Sequence, residues 1–252
     1  MQAESLRQRL WRRLPLLIIL LAVAAGVALA LLRLSPPRTA LVPYVAEIRI
    51  NGPIDYSPQS LLGVSVGVDE YIKLIRQARN DPMARAVVLV FNSPGGTVAA
   101  SYDLFEAVKE LSREKVVVAY ARNLMASGAY FAALPARRIY ASPASLVGSV
   151  GVYTTLLSAR ELLGKIGVTV YTVKSGPMKD IGSPYREMSS EELRVMQGIV
   201  DEYFQLFKKS VITYRGNVSP EVFTGRPFAP QEALSAGLID GVMSYEVALA
   251  KA

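Results

Sequence analysis

The sequence predicts an α/β fold, a parallel β-sheet covered by helices, that follows an N-terminal transmembrane helix. From about residue 45 onward, short apolar strands alternate with amphipathic helices, which is the pattern of parallel α/β folds. Residues 86–91 form an unbroken apolar run, as expected for a strand that a parallel sheet buries on both faces. Residues 14–32 form a stretch of 19 residues without a charge, close to the ~20 that a helix needs to span a bilayer.

The residues around the apolar stretch predict its orientation. Arginine is more frequent before it than after it, at Arg7, Arg9, Arg12 and Arg13 against Arg33 and Arg38. Because basic residues favour the cytoplasmic side, we expect residues 1–13 in the cytoplasm, 14–32 in the cell membrane as a single pass, 33–44 as a linker and 45–252 as one extracytoplasmic domain. The alternative is a cleaved signal peptide, since residues 28–30 read Ala-Leu-Ala, a small-x-small cleavage pattern.

The composition excludes several kinds of chemistry. The 252 residues include no histidine and no cysteine, so a Ser-His-Asp triad, a thiol nucleophile and the usual zinc sites are impossible. We therefore expect no metal and no cofactor. The net charge of +7 falls to +2 when residues 1–38, with six arginines and one glutamate, are left out, so we also expect no nucleic-acid partner. Hydrolytic chemistry would have to use Ser, Thr, Lys, Tyr, Asp or Glu.

Local patterns predict the elements of the domain in order. Apolar runs and alternation predict strands, a 3.6-residue period predicts helices, and Gly, Pro and Asn mark the turns. The predicted strands are 45–50, 86–91, 116–120, 138–141 and 168–173. The predicted helices are 68–80, one ending near 112, a short one at 125–133, and a long one from a capping box of Ser189 and Glu192 to about residue 215. The apolar face of the long helix consists of Leu193, Met196, Ile199, Val200, Tyr203, Phe207 and Val211.

Two loops that leave predicted strands carry residues suited to acyl transfer. In Ser93-Pro94-Gly95-Gly96, the glycines allow backbone N–H groups to approach a ligand, as an oxyanion hole requires. Ser127 stands between small residues at the predicted start of a helix, where the free N–H groups of the helix terminus favour an oxyanion. Taken alone, the first motif is equally explained as a plain turn, and Ser127 is more simply an ordinary residue at a helix start.

A third loop carries Lys179, the candidate base. Without histidine, a neutral lysine amine is the leading group to accept the serine proton. A lysine amine with its ordinary pKa of about 10.4 is almost wholly protonated at pH 7, so a catalytic lysine has to be desolvated. Pro177, Met178 and Ile181 would help to exclude water, whereas Asp180 works against this unless its carboxylate points away. On spacing alone, Lys179 is more simply an exposed loop lysine.

These motifs occur with others in an order that resembles a known family. A membrane anchor followed by NSPGG, MASGAY, PASLVGSVGV, SGPMKDIGSP, FTGRPF and ALSAGLIDGV is similar to signal peptide peptidase A in its short bacterial form, over nearly all of residues 45–245. The spacing agrees, with 52 residues from Ser127 to Lys179 and 22 from Ser127 to Ser149. Ala129, where many relatives have a second glycine, is a departure that hardly touches the mechanism.

The resemblance implies a ClpP/crotonase-like fold and a membrane-anchored serine endopeptidase. It assigns Ser127 as the nucleophile, Lys179 as the general base and Ser149 as the serine that orients the lysine. The N–H groups of Gly96 and Gly128 correspond to the oxyanion hole. The implied substrates are remnant signal peptides and other membrane-derived peptides, and the implied assembly is a ring-like homo-oligomer whose neighbouring subunits share the Ser/Lys dyad.

The sequence leaves three alternatives. A crotonase-like acyl-thioester enzyme would share the oxyanion hole, but it has no need for the Ser127/Lys179 pair or for a membrane anchor. A related membrane serine peptidase with one specific membrane-protein substrate would share the dyad. A catalytically silent scaffold is disfavoured because every matched catalytic position is intact.

Overall fold

The computed structural model describes residues 20–26, 42–57 and 66–252. The chain divides into two compact units, Met1–Pro43 and Tyr44–Ala252. In the first unit residues 20–26 are helical, and the rest of the predicted membrane helix at 14–32 lies outside the described residues. Among the helices that the structure describes, none is long and apolar enough to cross a membrane. The membrane helix therefore stays a prediction.

The second unit is an α/β domain built on a seven-stranded sheet. The strands are β1 Tyr44–Asn51, β2 Ala84–Ser93, β3 Val116–Ala126, β4 Arg138–Ala141, β5 Leu146–Gly148, β6 Pro227–Phe228 and β7 Gly241–Val242. The helices are α1 Val68–Asn80, α2 Val98–Glu114, α3 Gly128–Ala133, α4 Arg160–Lys165, α5 Ser190–Arg215, α6 Pro230–Ser235 and α7 Tyr245–Leu249, with a 3₁₀ helix at Pro220–Thr224.

The sheet is parallel apart from one short strand. β1, β2, β3, β4 and β7 pair in that order, and every pair is parallel. β3 has two further partners along its length: residues 118–121 pair with β4, and residues 124–126 pair with β5. β6 pairs antiparallel with β5. The change of partner along β3 separates its last residues from β4, at the point where the chain turns into α3.

Both faces of the central strands are buried. Successive residues of a strand point to opposite faces, so Val87 and Leu89 join the main core with α1, α2 and α3. Val88 and Val90 join a smaller core that includes Ala248 of α7. This double coverage explains why β2 is a continuous apolar run rather than an alternating one. The predicted parallel α/β sheet is confirmed.

An aromatic cluster attaches the long helix α5 to the domain. The ring of Phe131 in α3 lies 4.6 Å from the ring of Phe105 in α2 and 5.1 Å from that of Phe207 in α5. The predicted capping box of Ser189 and Glu192 starts this helix. The predicted apolar face is only half right: Phe207 and Val211 are buried, but Leu193, Ile199 and Tyr203 are exposed. The first half of α5 borders an open groove rather than the core.

Two local predictions were wrong, and two short elements were missed. Residues 168–173 belong to no helix or strand, because no strand of the described chain pairs their backbone groups. The helix predicted at 125–133 starts at Gly128, since Met125 and Ala126 still belong to β3 and pair with Val147 and Gly148. The partner strand β5 and the short helix α4 were not predicted.

Candidate active site

Ser127 lies at the turn between β3 and α3. It has φ 53° and ψ −126°, a conformation that non-glycine residues rarely adopt and that costs about 1–3 kcal/mol. Two hydrogen bonds hold the turn: the Ser127 N–H donates to Gly148 O (2.7 Å), and Ser127 O accepts from the Phe131 N–H (2.9 Å). A serine on a strained strand-to-helix turn is typical of hydrolase nucleophiles, because the turn exposes Oγ. Ser127 is partly exposed and borders the groove.

Gly96 and Gly128 lie against each other beside Ser127. A Cβ atom added to Gly128 would be 3.3 Å from Gly96 N and 2.0 Å from Ser101 Oγ, and one added to Gly96 would be 1.9 Å from Ile54 O. Gly128 is the first residue of α3, so its N–H has no acceptor within the helix. Neither N–H donates to a loop or turn carbonyl among the described residues. Two such N–H groups next to a serine hydroxyl can bind an oxyanion.

Ser149 directly follows β5 and borders the same groove as Ser127. Its Oγ donates to Gly225 O (3.0 Å), and its N–H donates to Arg226 O (3.1 Å). With its own proton engaged, the Ser149 oxygen keeps free lone pairs. It can therefore accept a hydrogen bond from a group that enters the groove.

The groove in front of the two serines has a volume of about 1200 Å³. Its walls come from the loop after β2, from the chain after β5 and from the exposed face of α5, including Met196 and Ile199. A smaller pocket of about 90 Å³ opens beside Ser127 and Gly128. Most of that pocket is apolar, with Val98, Phe131 and Leu206 in its walls.

Lys179, the predicted base, is not part of this arrangement. It is exposed, and it lies in the segment between α4 and α5, where its N–H donates to Gly176 O (3.2 Å). Within the described part of the chain, no lysine lines the groove. The structure thus brings together four predicted site residues, Ser127, Ser149, Gly96 and Gly128, and leaves Lys179 outside.

The Asp180 carboxylate is turned toward two cations. Its Oδ2 accepts from Arg186 Nε (2.8 Å), and its Oδ1 accepts from Lys174 Nζ (2.6 Å). The Arg186 guanidinium, followed by the Lys174 ammonium, holds the pKa of the Asp180 carboxyl well below its usual range. The carboxylate that was expected to oppose desolvation of Lys179 is therefore paired with Arg186 and Lys174 instead.

One residue of the site, Ser101, was not singled out from the sequence, and Gly95 was predicted only as part of the Gly95-Gly96 pair. Gly95 has φ 93°, and a Cβ there would be 2.5 Å from Gly128 N, so this glycine lets the two loops meet. Ser101 is 3% exposed, and its Oγ has no hydrogen-bond partner among the described residues. The glycine pair after the strand indicated Gly95, but nothing in the local sequence marks Ser101, because it faces Gly128 only through tertiary packing. Across the described ranges no acidic cluster could hold a metal ion.

Comparison with known proteins gives a family. Residues 109–252, more than half of the chain, match the model of peptidase family S49. "Putative protease MJ0651" of Methanocaldococcus jannaschii is 40% identical over 184 residues, 72% of this chain and 59% of that protein. "Putative signal peptide peptidase SppA" of Enterococcus faecium is 30% identical over 215 residues, 81% of this chain and 61% of that protein. The chain thus spans about three fifths of the length of these two relatives.

A solved structure supports the fold. A membrane-bound stomatin-specific protease in complex with a substrate peptide superimposes with a TM-score of 0.52 and 18% identity, over 84% of this chain and 80% of that chain. At this identity the likeness concerns the architecture alone. Together with the family match, it supports a peptidase fold for this chain. The chain belongs to peptidase family S49, which confirms the predicted resemblance to signal peptide peptidase A and to serine peptidases.

Proposed function

We propose that this chain is a serine endopeptidase with Ser127 as nucleophile and Lys179 as general base. The observation that carries the proposal is the strained turn at Ser127, with the N–H groups of Gly96 and Gly128 beside it. Membership of a peptidase family favours peptide hydrolysis over acyl-thioester chemistry. Intact nucleophile and oxyanion positions argue against a silent scaffold.

The proposed reaction is acyl transfer in two steps. The neutral amine of Lys179 takes the proton of the Ser127 hydroxyl as Oγ attacks the scissile carbonyl carbon. The N–H groups of Gly96 and Gly128 hold the oxyanion of the tetrahedral intermediate. When the C–N bond breaks, the lysine ammonium returns its proton to the leaving amine. Water then attacks the acyl-serine with the same base, which releases the acid and restores Ser127.

Ser149 is proposed to orient the lysine amine. Its hydroxyl proton is donated to Gly225 O, so its oxygen is available to accept a hydrogen bond from an entering amine. Such a bond would direct the amine lone pair toward Ser127. Ser149 would then be a positioning residue whose loss weakens catalysis without ending it.

The lysine is proposed to come from a neighbouring copy of the chain. No lysine of the described residues lines the groove, while Lys179 is exposed. The segment leading to it also exposes large apolar side chains, with Tyr153 87%, Tyr171 88% and Val173 100% exposed. Apolar surface of this kind marks an interface. A head-to-tail contact that closes into a ring gives every subunit both a serine side and a lysine side.

The substrates are proposed to be extended peptides with small or aliphatic side chains at the cleavage point. A groove of about 1200 Å³ has room for several residues. The pocket beside Ser127, about 90 Å³, is smaller than the cavity of about 150 Å³ that accommodates benzene in a protein core. It therefore favours a small or aliphatic side chain over an aromatic one. Remnant signal peptides and other membrane-derived peptides have such side chains, and an anchor at residues 14–32 would hold the enzyme next to them.

Active-site labelling combined with peptide cleavage tests this function. The full chain in detergent is treated with a fluorophosphonate, and the modified residue is located by mass spectrometry. We expect the label on Ser127, none on Ser127→Ala, and cleavage of signal-peptide sequences after small or aliphatic residues. Labelling of another serine, or a labelled enzyme that hydrolyses thioesters but no peptides, would refute the proposal. Cleavage confined to one membrane protein would favour the related peptidase with a specific substrate.

A further inference from the structure

The guanidinium of Arg186 connects the loop of Lys179 to the start of α5. Its Nε and Nη2 donate to the two carboxylate oxygens of Asp180 at 2.8 and 2.7 Å. Its Nη1 donates to Glu192 Oε2 at 2.8 Å, and Nη2 also contacts Glu192 Oε1. A planar guanidinium that binds two carboxylates fixes their relative orientation, which a lysine ammonium cannot do.

The Glu192 end of this bridge is firmly held. Glu192 is 4% exposed in the first turn of α5. Its Oε2 accepts from the Ser189 N–H (2.8 Å), and its own N–H donates to Ser189 Oγ (3.2 Å). Arg186, and after it the Ser189 N–H, lower the pKa of the Glu192 carboxyl to about 2. The glutamate is therefore a fixed, charged anchor at neutral pH.

The Asp180 end ties together the loop around Lys179. Arg186 Nη2 lies 3.3 Å from the carbonyl oxygen of Asp180 as well. Lys174 Nζ donates to Asp180 Oδ1 (2.6 Å) and to Pro177 O (2.8 Å). Asp180 thus receives bonds from both ends of residues 174–186, and the residue immediately before it is Lys179.

We infer that Arg186 is a positioning residue for the general base: it ties Asp180 to Glu192, fixes the loop of Lys179 on α5, and keeps the Asp180 carboxylate from pairing with the lysine amine. This inference rests on the proposed function, in which Lys179 is the base. The charged groups around the loop are Lys174, Arg186 and Glu192, with an outer pair of Arg160 and Glu187 at 3.8 Å. Without Arg186, the Asp180 carboxylate would keep Lys174 as its one cationic partner among these groups and could also pair with the amine of Lys179, the adjacent residue.

The first test compares Arg186→Met with Arg160→Met in the full chain. Arg160 is the matched control because its ion pair with Glu187 has both side chains more than 60% exposed. A nearby carboxylate stabilises the protonated amine by about one pH unit or more. For Arg186→Met we therefore expect the rising limb of the kcat/KM profile to move up by about one pH unit, with a roughly tenfold loss of kcat at pH 7 and KM within about twofold. Arg160→Met should match the wild type.

A second variant separates positioning from simple loss of structure. In Arg186→Met with Asp180→Asn, the carboxylate adjacent to Lys179 is gone and Glu192 is still held by the Ser189 N–H, so the rising limb of the pH profile should return to its wild-type position while kcat recovers only in part. If Arg186→Met lowers kcat but leaves the rising limb of the pH profile in place, Arg186 has a merely structural role and the inference is overturned. A shift of the limb that persists in the double variant would also overturn it. Thermal unfolding checks the fold. If Arg186→Met does not fold, Arg186→Lys replaces it, with a smaller shift in the same direction.

The result for Lys179→Ala distinguishes the inference from the function on which it rests. If Lys179→Ala is inactive and Arg186→Met has the wild-type profile, only the role of Arg186 is refuted. If Lys179→Ala remains active, the proposed base is wrong and the role of Arg186 is refuted with it.

Discussion

Ser127 and Ser149 occupy equivalent positions at the ends of two paired parallel strands. Ala126 of β3 pairs with Gly148 of β5, so each serine is the next residue after the last pair. Both have positive φ, 53° and 52°, and both border the groove. The register of β3 against β5 thus gives two serines that are 22 residues apart in the sequence equivalent positions at the strand ends. Any change in that register would separate the two hydroxyls.

Loss of either member of the dyad should abolish peptide hydrolysis. We expect Ser127→Ala and Lys179→Ala each to lower kcat/KM by more than about a thousandfold, and the double variant to lose no more, because the two groups act as a unit. Ser149→Ala should cost only about tenfold to a hundredfold, since it acts through the lysine. Ser235→Ala, an exposed serine of α6, is the control. Activity above about a tenth of wild type in either dyad variant would contradict the mechanism.

The rate of hydrolysis should rise with pH. An amine acts as a base only in its neutral form, so the rate increases until the amine is deprotonated. Chelators should leave the rate unchanged, because the chain has no histidine or cysteine to hold a catalytic metal. Initial rates from pH 6 to 9, with and without EDTA, check both points. A flat profile under conditions where chemistry limits the rate, or a requirement for zinc, would count against the lysine base.

Two inactive variants should restore activity when mixed. If neighbouring subunits share the dyad, oligomers reassembled from equal amounts of Ser127→Ala and Lys179→Ala chains have an intact serine facing an intact lysine at about a quarter of their interfaces. Activity should return to about a quarter of the wild-type level. Each variant reassembled alone is the control. No recovery in oligomers shown to contain both chains would mean that the dyad belongs to one subunit.

The oxyanion hole should be sensitive to a single methyl group. Gly128→Ala places a Cβ 2.0 Å from Ser101 Oγ and beside Gly96 N, so we expect a loss of about 10²–10³ in kcat, the size of a lost oxyanion donor. Gly164→Ala in α4, where a Cβ meets nothing within 4 Å, is the control. Thermal unfolding shows whether both variants fold.

Space made at Ser101 should partly reverse this loss. In Gly128→Ala with Ser101→Gly, the clashing side chain is gone and the N–H of residue 128 remains, so part of kcat should return. A double variant as inactive as Gly128→Ala would show that the methyl group blocks the substrate rather than displacing the donor.

The sequence predicted those parts of the fold that depend on local patterns. The helix at 68–80 and the strand at 138–141 agree with α1 and β4 to the residue, because their periodicity and their turn residues are unambiguous. The strand predicted at 168–173 was wrong, since an apolar run favours a strand only where a partner strand is available. β5 was missed because three residues carry too little pattern to be recognised.

The candidate site shows the same division between local and tertiary information. Ser127 and the glycine pair were predicted because small residues at a strand-to-helix turn have a conformational reason to be there. The proximity of Gly96 to Gly128 comes from packing between loops that are 32 residues apart in the sequence. A local sequence pattern cannot predict such a contact. The bridge from Arg186 to Asp180 and Glu192 could not be predicted either. Charged residues in a polar segment are expected to be exposed to solvent, and the sequence does not show which of them pair.

The positive φ of Ser127 and Ser149 also bears on how this protein would respond to laboratory evolution. Glycine adopts such backbone angles without a penalty, whereas each serine costs about 1–3 kcal/mol. Ser127→Gly should therefore melt at a higher temperature than Ser127→Ala. A library sorted only for heat resistance would accumulate glycine at both positions, and its most heat-resistant members would be those that had lost the hydroxyl proposed as the nucleophile.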